Sequence, residues 1–157
     1  MLRSLAPLLL LFWLLPAQAA ELTPGEGWRV QPTQHSFPEL WERLKAAIAA
    51  EEMGLVTTAS ASAGAAGQGI AIPGNRVVGV YRNDFARRML AASVAAGIEA
   101  PIRFYLTENP DGTATLSYKT PSFVFRPYRE EGGAELQALA EELDGIFAAI
   151  FAAATAP

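Results

Sequence analysis

The side chains that most often carry enzyme chemistry are scarce in this sequence. It contains one histidine, His35, and no cysteine. A metal site needs several convergent ligands, so a lone histidine is predicted to be an ordinary surface residue rather than a metal ligand or a general base. The lack of cysteine excludes disulfides, thiol nucleophiles and a covalently attached c-type haem. We therefore expect no metal and no other cofactor.

Two further patterns look like chemical motifs but do not meet their requirements. The glycine-rich segment 64–69 lacks both the spacing of a dinucleotide loop and the Lys-Ser/Thr pair of a phosphate loop, so a flexible connection is predicted rather than a phosphate cradle. The small residues of the whole segment 61–69 predict a loop or a weak helix. Acidic doublets are also present, but neighbouring helical residues diverge by about 100° around the axis and do not converge on one atom. We expect solvated faces at Glu51-Glu52, Glu130-Glu131 and Glu141-Glu142.

The most promising polar side chains lie on a predicted β-hairpin and the strand before it. Clean alternation over 102–108 and 113–119, joined by Asn-Pro-Asp-Gly, predicts that Phe104 points into the core and Arg103 points away from it. Tyrosine and arginine together are favoured at binding surfaces, whereas an ordinary solvated sheet face would carry similar residues. Both interpretations stay open. The candidate binding or interface residues are Tyr81, Arg103, Tyr105 and Lys119.

Helix signals flank these strands. Ser36 and Glu39 form a capping box before a helix that Gly54 ends, and Asp84 is predicted to cap a second helix that Gly97 ends. The apolar positions of the second helix are Phe85, Met89, Leu90 and Val94. The remaining strands are expected at 28–34, 55–60 and 77–81.

The last third of the sequence is rich in aromatic residues. A helix with a wide apolar stripe is predicted from about Ala134 to the end, and its acidic residues exclude a membrane span. Core packing is the default for Phe147 and Phe151, and an apolar ligand groove between this helix and the sheet is the alternative. The order is β-α-β-β-α-β-β-α, which predicts an α+β fold: an antiparallel-rich curved sheet with helices packed on one face.

These blocks together resemble a known family. The segments 37–44, 77–81, 100–106 and the hairpin ending at Ser117-Tyr118-Lys119-Thr120-Pro121 resemble the bacterial domain of unknown function family 302, from about His35 to Phe125. The resemblance implies a fold like that of the TATA-box-binding protein, and it implies homodimers among family members. It implies no established activity.

The N-terminus has the pattern of a secretory signal peptide. Arg3 supplies positive charge, 5–15 is apolar, and Ala17-Gln18-Ala19 fits a cleavage site, so cleavage is predicted between Ala19 and Ala20. The domain boundaries are then 1–19 for the signal peptide, 20–34 for a lead-in with a possible first strand, and 35–157 for a single α+β domain. We expect a periplasmic or secreted protein, with no membrane span after signal removal.

Charge narrows the range of partners. The formal net charge is −4, so a nucleic acid backbone is an unfavourable partner. The leading hypothesis is a non-enzymatic binding domain of the cell envelope for a small, apolar molecule or another envelope protein. A homodimer through the exposed sheet or the last helix is also expected. The alternatives are a metal-independent enzyme and a structural partner of another envelope protein.

Overall fold

The computed structural model describes residues 22–157. The predicted signal peptide and its cleavage site between Ala19 and Ala20 lie outside these residues. Five strands run along the described chain: β1 (Trp28–Ser36), β2 (Gly54–Ala59), β3 (Asn75–Tyr81), β4 (Ile102–Glu108) and β5 (Thr113–Lys119). The helices are α1 (Phe37–Ala50), α2 (Ala61–Ala66), α3 (Asn83–Ala92), α4 (Pro121–Val124) and α5 (Arg129–Thr155). Short 3-10 helices occupy Ala95–Glu99 and Arg126–Tyr128.

The strands form one open sheet in the order β1-β5-β4-β3-β2, and every neighbouring pair is antiparallel. The predicted α+β class and the order of the main elements are confirmed. The weak helix expected around the glycine-rich segment is α2, whose N-cap is Ser60. The chain returns across the sheet to pair β1 with β5, so residues distant in sequence become neighbours.

Helices α1, α3 and α5 cover one side of the sheet, here called the helix face. Val78, Phe104, Leu106 and Leu116 point to this side and are fully buried. The ring of Phe104 stacks on that of Phe147 in α5, with 4.9 Å between ring centroids. The predicted inward direction of the alternate hairpin residues is therefore correct, and the apolar stripe of α5 is what they meet.

The helix ends differ from the prediction in three places: α1 ends at Ala50, since Gly54 is already the first residue of β2, and both ends of α3 also differ. Asp84 is not the cap of α3, because the helix begins at Asn83 and the Asp84 carboxylate accepts a hydrogen bond from Arg82 Nε at 2.9 Å. The helix stops at Ala92 rather than Gly97, since Ser93 is extended and its hydroxyl accepts from the Ala96 amide of the following 3-10 turn.

The long last helix follows a kink at Gly133, in agreement with the predicted start at about Ala134. A helical turn starts at Arg129, and Gly133 breaks it with a φ of 55°, a conformation that glycine adopts at little cost. The long part that follows buries Leu143, Phe147 and Ile150 against the core. Within residues 22–157, no helix combines the length and apolar character needed to cross a membrane.

His35 is buried, so its predicted surface position is wrong. Its Nε2 donates to the Ala156 carbonyl at 2.8 Å, and its Nδ1 lies 2.9 Å from Glu39 Oε1. Arg43 donates to the carbonyls of Ala154 and Ala156. Helix C-termini present unpaired carbonyls and favour cations, so His35 and Arg43 hold the end of α5 on the domain.

Candidate functional site

The side of the sheet opposite the helices, here called the outer face, carries two adjacent rows of side chains. The first row consists, from β1 across to β2, of Trp28, Lys119, Arg103, Gly79 and Thr57. Because Phe104 pairs with Tyr118 in the antiparallel register, Arg103 lies opposite Lys119. This first row therefore places two cations side by side next to a tryptophan.

The second row is largely apolar. It consists, in the same strand order, of Val30, Ser117, Tyr105, Val77 and Ala59. Ser117 is fully buried between its larger neighbours, and its hydroxyl donates to the Tyr105 carbonyl at 3.3 Å. A small residue on β5, between the larger Val30 on β1 and Tyr105 on β4, leaves room above it.

Together these rows border a groove of about 560 Å³. Glu99, at the end of the 3-10 helix before β4, and Val124, at the end of α4 after β5, line it as well. The groove is lined by Trp28, Ala59, Ala61, Asn75, Val77, Glu99, Ile102, Arg103, Tyr105, Tyr118, Lys119 and Val124. This volume falls within the range of pockets that take small organic ligands.

Three of the four predicted site residues come together in this groove. Arg103 and Lys119 are exposed there, and Tyr105 is half-buried. Tyr81 is not among the lining residues, because it is the last residue of β3 and pairs with Gly54 beyond the first row. Tyr81 borders instead a small cavity on the helix side, of about 30 Å³.

That small cavity also tests the predicted groove between the last helix and the sheet. It is lined by Leu139, Leu143 and Phe147 of α5, together with residues of α3 and the strands. Its volume suits about one water molecule rather than an organic ligand. Core packing of Phe147 is therefore confirmed, and α5 packs too closely on the helix face to leave the alternative ligand groove there. The outer face carries a groove instead.

Sequence reasoning missed Trp28 as a site residue. Its partner in the register is Lys119, whose Nζ lies 5.5 Å from the Trp28 ring centroid and 6.0 Å from that of Phe123. Cations are attracted to aromatic faces at such distances. The pairing of β1 with β5, which no local pattern specifies, decides which residues Trp28 meets.

Two titratable groups at the groove have shifted pKa values. A hydrogen bond from the Tyr128 hydroxyl to Glu99 Oε1, at 2.8 Å, raises the pKa of Tyr128 and engages the carboxylate at the groove end. Burial raises the pKa of Tyr118, which keeps this phenol neutral. Among the described residues, no group of three or more His, Asp or Glu side chains is placed to hold a metal ion.

Comparison with known proteins gives a family and a fold. The profile of Domain of unknown function DUF302 matches residues 29–150. The chain belongs to this family. A crystal structure of an uncharacterized conserved DUF302 protein from Bacillus stearothermophilus aligns with a TM-score of 0.69 at 16% identity, covering 80% of this chain and 96% of the other. No curated protein matches this DUF302 chain.

Proposed function

We propose that this DUF302 chain is a non-enzymatic, exported domain that binds a small molecule with an apolar body. The observation that carries the proposal is the groove of about 560 Å³ on the outer face. Ligand pockets commonly have volumes of about 300–1,000 Å³, a mostly apolar lining and a few polar groups that fix orientation. The second row supplies the apolar wall through Tyr105, Val77 and Ala59.

A groove-filling substitution tests this proposal. Ala59 is exposed and lines the groove, so Ala59→Trp places a large ring where the ligand body would lie. The probe is the neutral dye Nile red, whose fluorescence rises in apolar surroundings. We expect saturable binding to the wild type and loss of that binding in the variant.

The matched control is Ala63→Trp, in the neighbouring helix α2. Ala63 is equally exposed but does not line the groove. The control should bind Nile red as the wild type does. Equal binding by all three proteins, or no saturable binding by the wild type, would contradict the proposed function.

Export to the periplasm or the medium is part of the same proposal. Its support is the signal-peptide pattern of residues 1–19, with small residues at Ala17 and Ala19. N-terminal sequencing of the protein from the envelope and the medium should give a chain that starts at Ala20. An intact Met1 in the envelope fraction would indicate an uncleaved anchor.

A homodimer is a second candidate, favoured by the edge strand β2. All six of its residues are exposed, it carries no charged side chain, and Val56 is 51% exposed. Native edge strands are usually protected by charges or by a covering element, so an uncharged edge suits pairing with a second copy. The apolar stripe of α5 does not favour dimerisation through this helix, because the domain itself covers Phe147 and Ile150.

Sedimentation at high micromolar concentration tests the dimer. We expect a dimer for the wild type and a monomer for Val56→Lys, which puts a charge on the edge. Leu90→Lys changes an exposed apolar residue of α3 and should stay dimeric. A wild type that is monomeric throughout would rule the dimer out.

A further inference from the structure

The two cations of the first row lie opposite each other on neighbouring strands. Arg103 on β4 and Lys119 on β5 occupy facing positions in the register that Phe104 and Tyr118 define. Facing side chains on one side of a sheet have Cβ atoms about 4.5–5.5 Å apart, and like charges in such positions destabilise the pair. A negatively charged group between them would turn this repulsion into attraction.

Among residues 22–157, no carboxylate forms an ion pair with either cation. Within residues 22–157, the ion pairs involve Arg82, Arg88, Arg126, Lys45 and His35, and none involves Arg103 or Lys119. Lys119 lies instead near aromatic rings that cannot neutralise it.

Glu99 is the carboxylate that lines the groove, and it already accepts a hydrogen bond from Tyr128. The groove therefore presents two cations against one carboxylate, in a chain whose formal net charge is −4. Its charge is opposite in sign to that of the whole chain. Such a local positive site attracts a small anion even though the chain as a whole is acidic.

The apolar second row runs directly beside these cations. Arg103 and Tyr105 are two positions apart on β4, so their side chains project from the same side of the sheet. Val77 lies next to Tyr105 on one side and next to Ala59 on the other. A molecule that reaches from the first row to the second meets charge at one end and apolar side chains along its length.

We infer that the groove binds an amphipathic anion. Its carboxylate or sulfonate head lies between Arg103 and Lys119, and its apolar body lies along Tyr105, Val77 and Ala59. The inference rests on the proposed function and adds the chemical class of the ligand. The arginine fork donates paired hydrogen bonds to such a head, and the lysine supplies a point charge.

A pair of probes that differ only in the head separates charge from apolar contact. Decanoate and 1-decanol share one apolar chain, and both can be titrated against the wild type at neutral pH as competitors of Nile red. We expect decanoate to bind about tenfold more tightly than decanol, since a hydrogen bond to a charged group contributes that much or more.

Charge-removing variants locate the effect. Arg103→Gln and Lys119→Gln should each weaken decanoate binding about tenfold and leave decanol binding unchanged. Arg87→Gln is the matched control, because Arg87 is an exposed arginine of α3 that does not line the groove. This control should keep the full preference for decanoate.

A thermal melt without any probe gives an independent readout. Removing one of two repelling charges should raise the melting temperature of ligand-free Arg103→Gln at low salt. The gain should disappear in about 0.5 M salt, where the screening length is only a few ångströms. Arg87→Gln should show no such gain.

The outcomes distinguish this inference from the proposed function. Decanoate that binds no more tightly than decanol, while Nile red still binds in the groove, would overturn the anionic head and leave the groove as an apolar site. A preference that survives both Gln substitutions would place the anion elsewhere and overturn the inference as well. Failure of Nile red to bind the wild type would refute the proposed function itself.

Discussion

The two faces of the sheet are built from alternate residues of the same strands, yet they differ in what covers them. On β4, Phe104 is fully buried under α5, whereas its neighbour Arg103 is exposed and Tyr105 is half-buried. On β3, Val78 is fully buried and Val77 borders the groove. The helix face is packed for stability. The outer face keeps polar and aromatic side chains around an open space, which is what a binding surface needs.

Truncating neighbouring aromatic residues gives the largest expected contrast between the two faces. Phe104→Ala removes a ring stacked on Phe147 and should lower the free energy of unfolding by about 3–5 kcal/mol. Tyr105→Ala should cost about 1 kcal/mol or less, because its side chain borders the groove. Urea denaturation of both variants measures the difference. A loss at Tyr105 as large as that at Phe104 would make Tyr105 part of the core.

The outer face is closely packed around Gly79, in contrast to the open groove beside it. A Cβ there would collide with the Thr57 hydroxyl and would lie 2.7 Å from Pro101 Cγ. Gly79→Ala should therefore lower stability by about 1–3 kcal/mol through overpacking. Gly145→Ala is the control, since nothing lies near a Cβ added at that helical position. It should stabilise the protein by about 0.5–1 kcal/mol, and a similar loss in both variants would argue against overpacking.

Loosening the end of α5 tests how firmly the helix face is covered. His35→Ala removes one of the two donors to the Ala156 carbonyl, which keeps its hydrogen bond from Arg43, and should cost about 0.5–1.5 kcal/mol, the usual net contribution of one hydrogen bond. Amide hydrogen exchange should also speed up in the last turns of α5, near Ala154. Gln34→Ala, at the exposed neighbouring position, is the control. Unchanged exchange in His35→Ala would mean that Arg43 alone holds the helix end.

The smallest expected effect is the decrease in the free energy of unfolding at alkaline pH. Burial raises the pKa of Tyr118 above its ordinary value of 10.0, so the folded protein holds this proton more tightly than the unfolded chain. The free energy of unfolding should then fall as the pH rises from about 10 through the folded-state pKa. Tyr118→Phe should reduce this slope. An identical slope in the variant would exclude Tyr118 as its source, leaving Tyr128, whose pKa the hydrogen bond to Glu99 also raises.

Local patterns in the sequence determined much of the fold. The period of two in the hairpin was sufficient to send Phe104 inward and Arg103 outward, because side-chain direction in a strand depends on adjacent residues alone. Ser36 was identified as the cap of α1 for the same reason: its hydroxyl accepts from the amide of Glu39, three residues away. Such signals span a few residues and need no knowledge of the rest of the chain.

Tertiary structure decided which distant residues meet. The pairing of β1 with β5 puts Trp28 beside Lys119, and no local pattern specifies that register. His35 became buried because the end of α5, 121 residues away, folds back onto it. Tyr81 was grouped with the site by residue type, but its position at the end of β3 takes it out of the groove. The groove itself exists because residues of all five strands lie in adjacent rows, and only the assembled sheet fixes those rows.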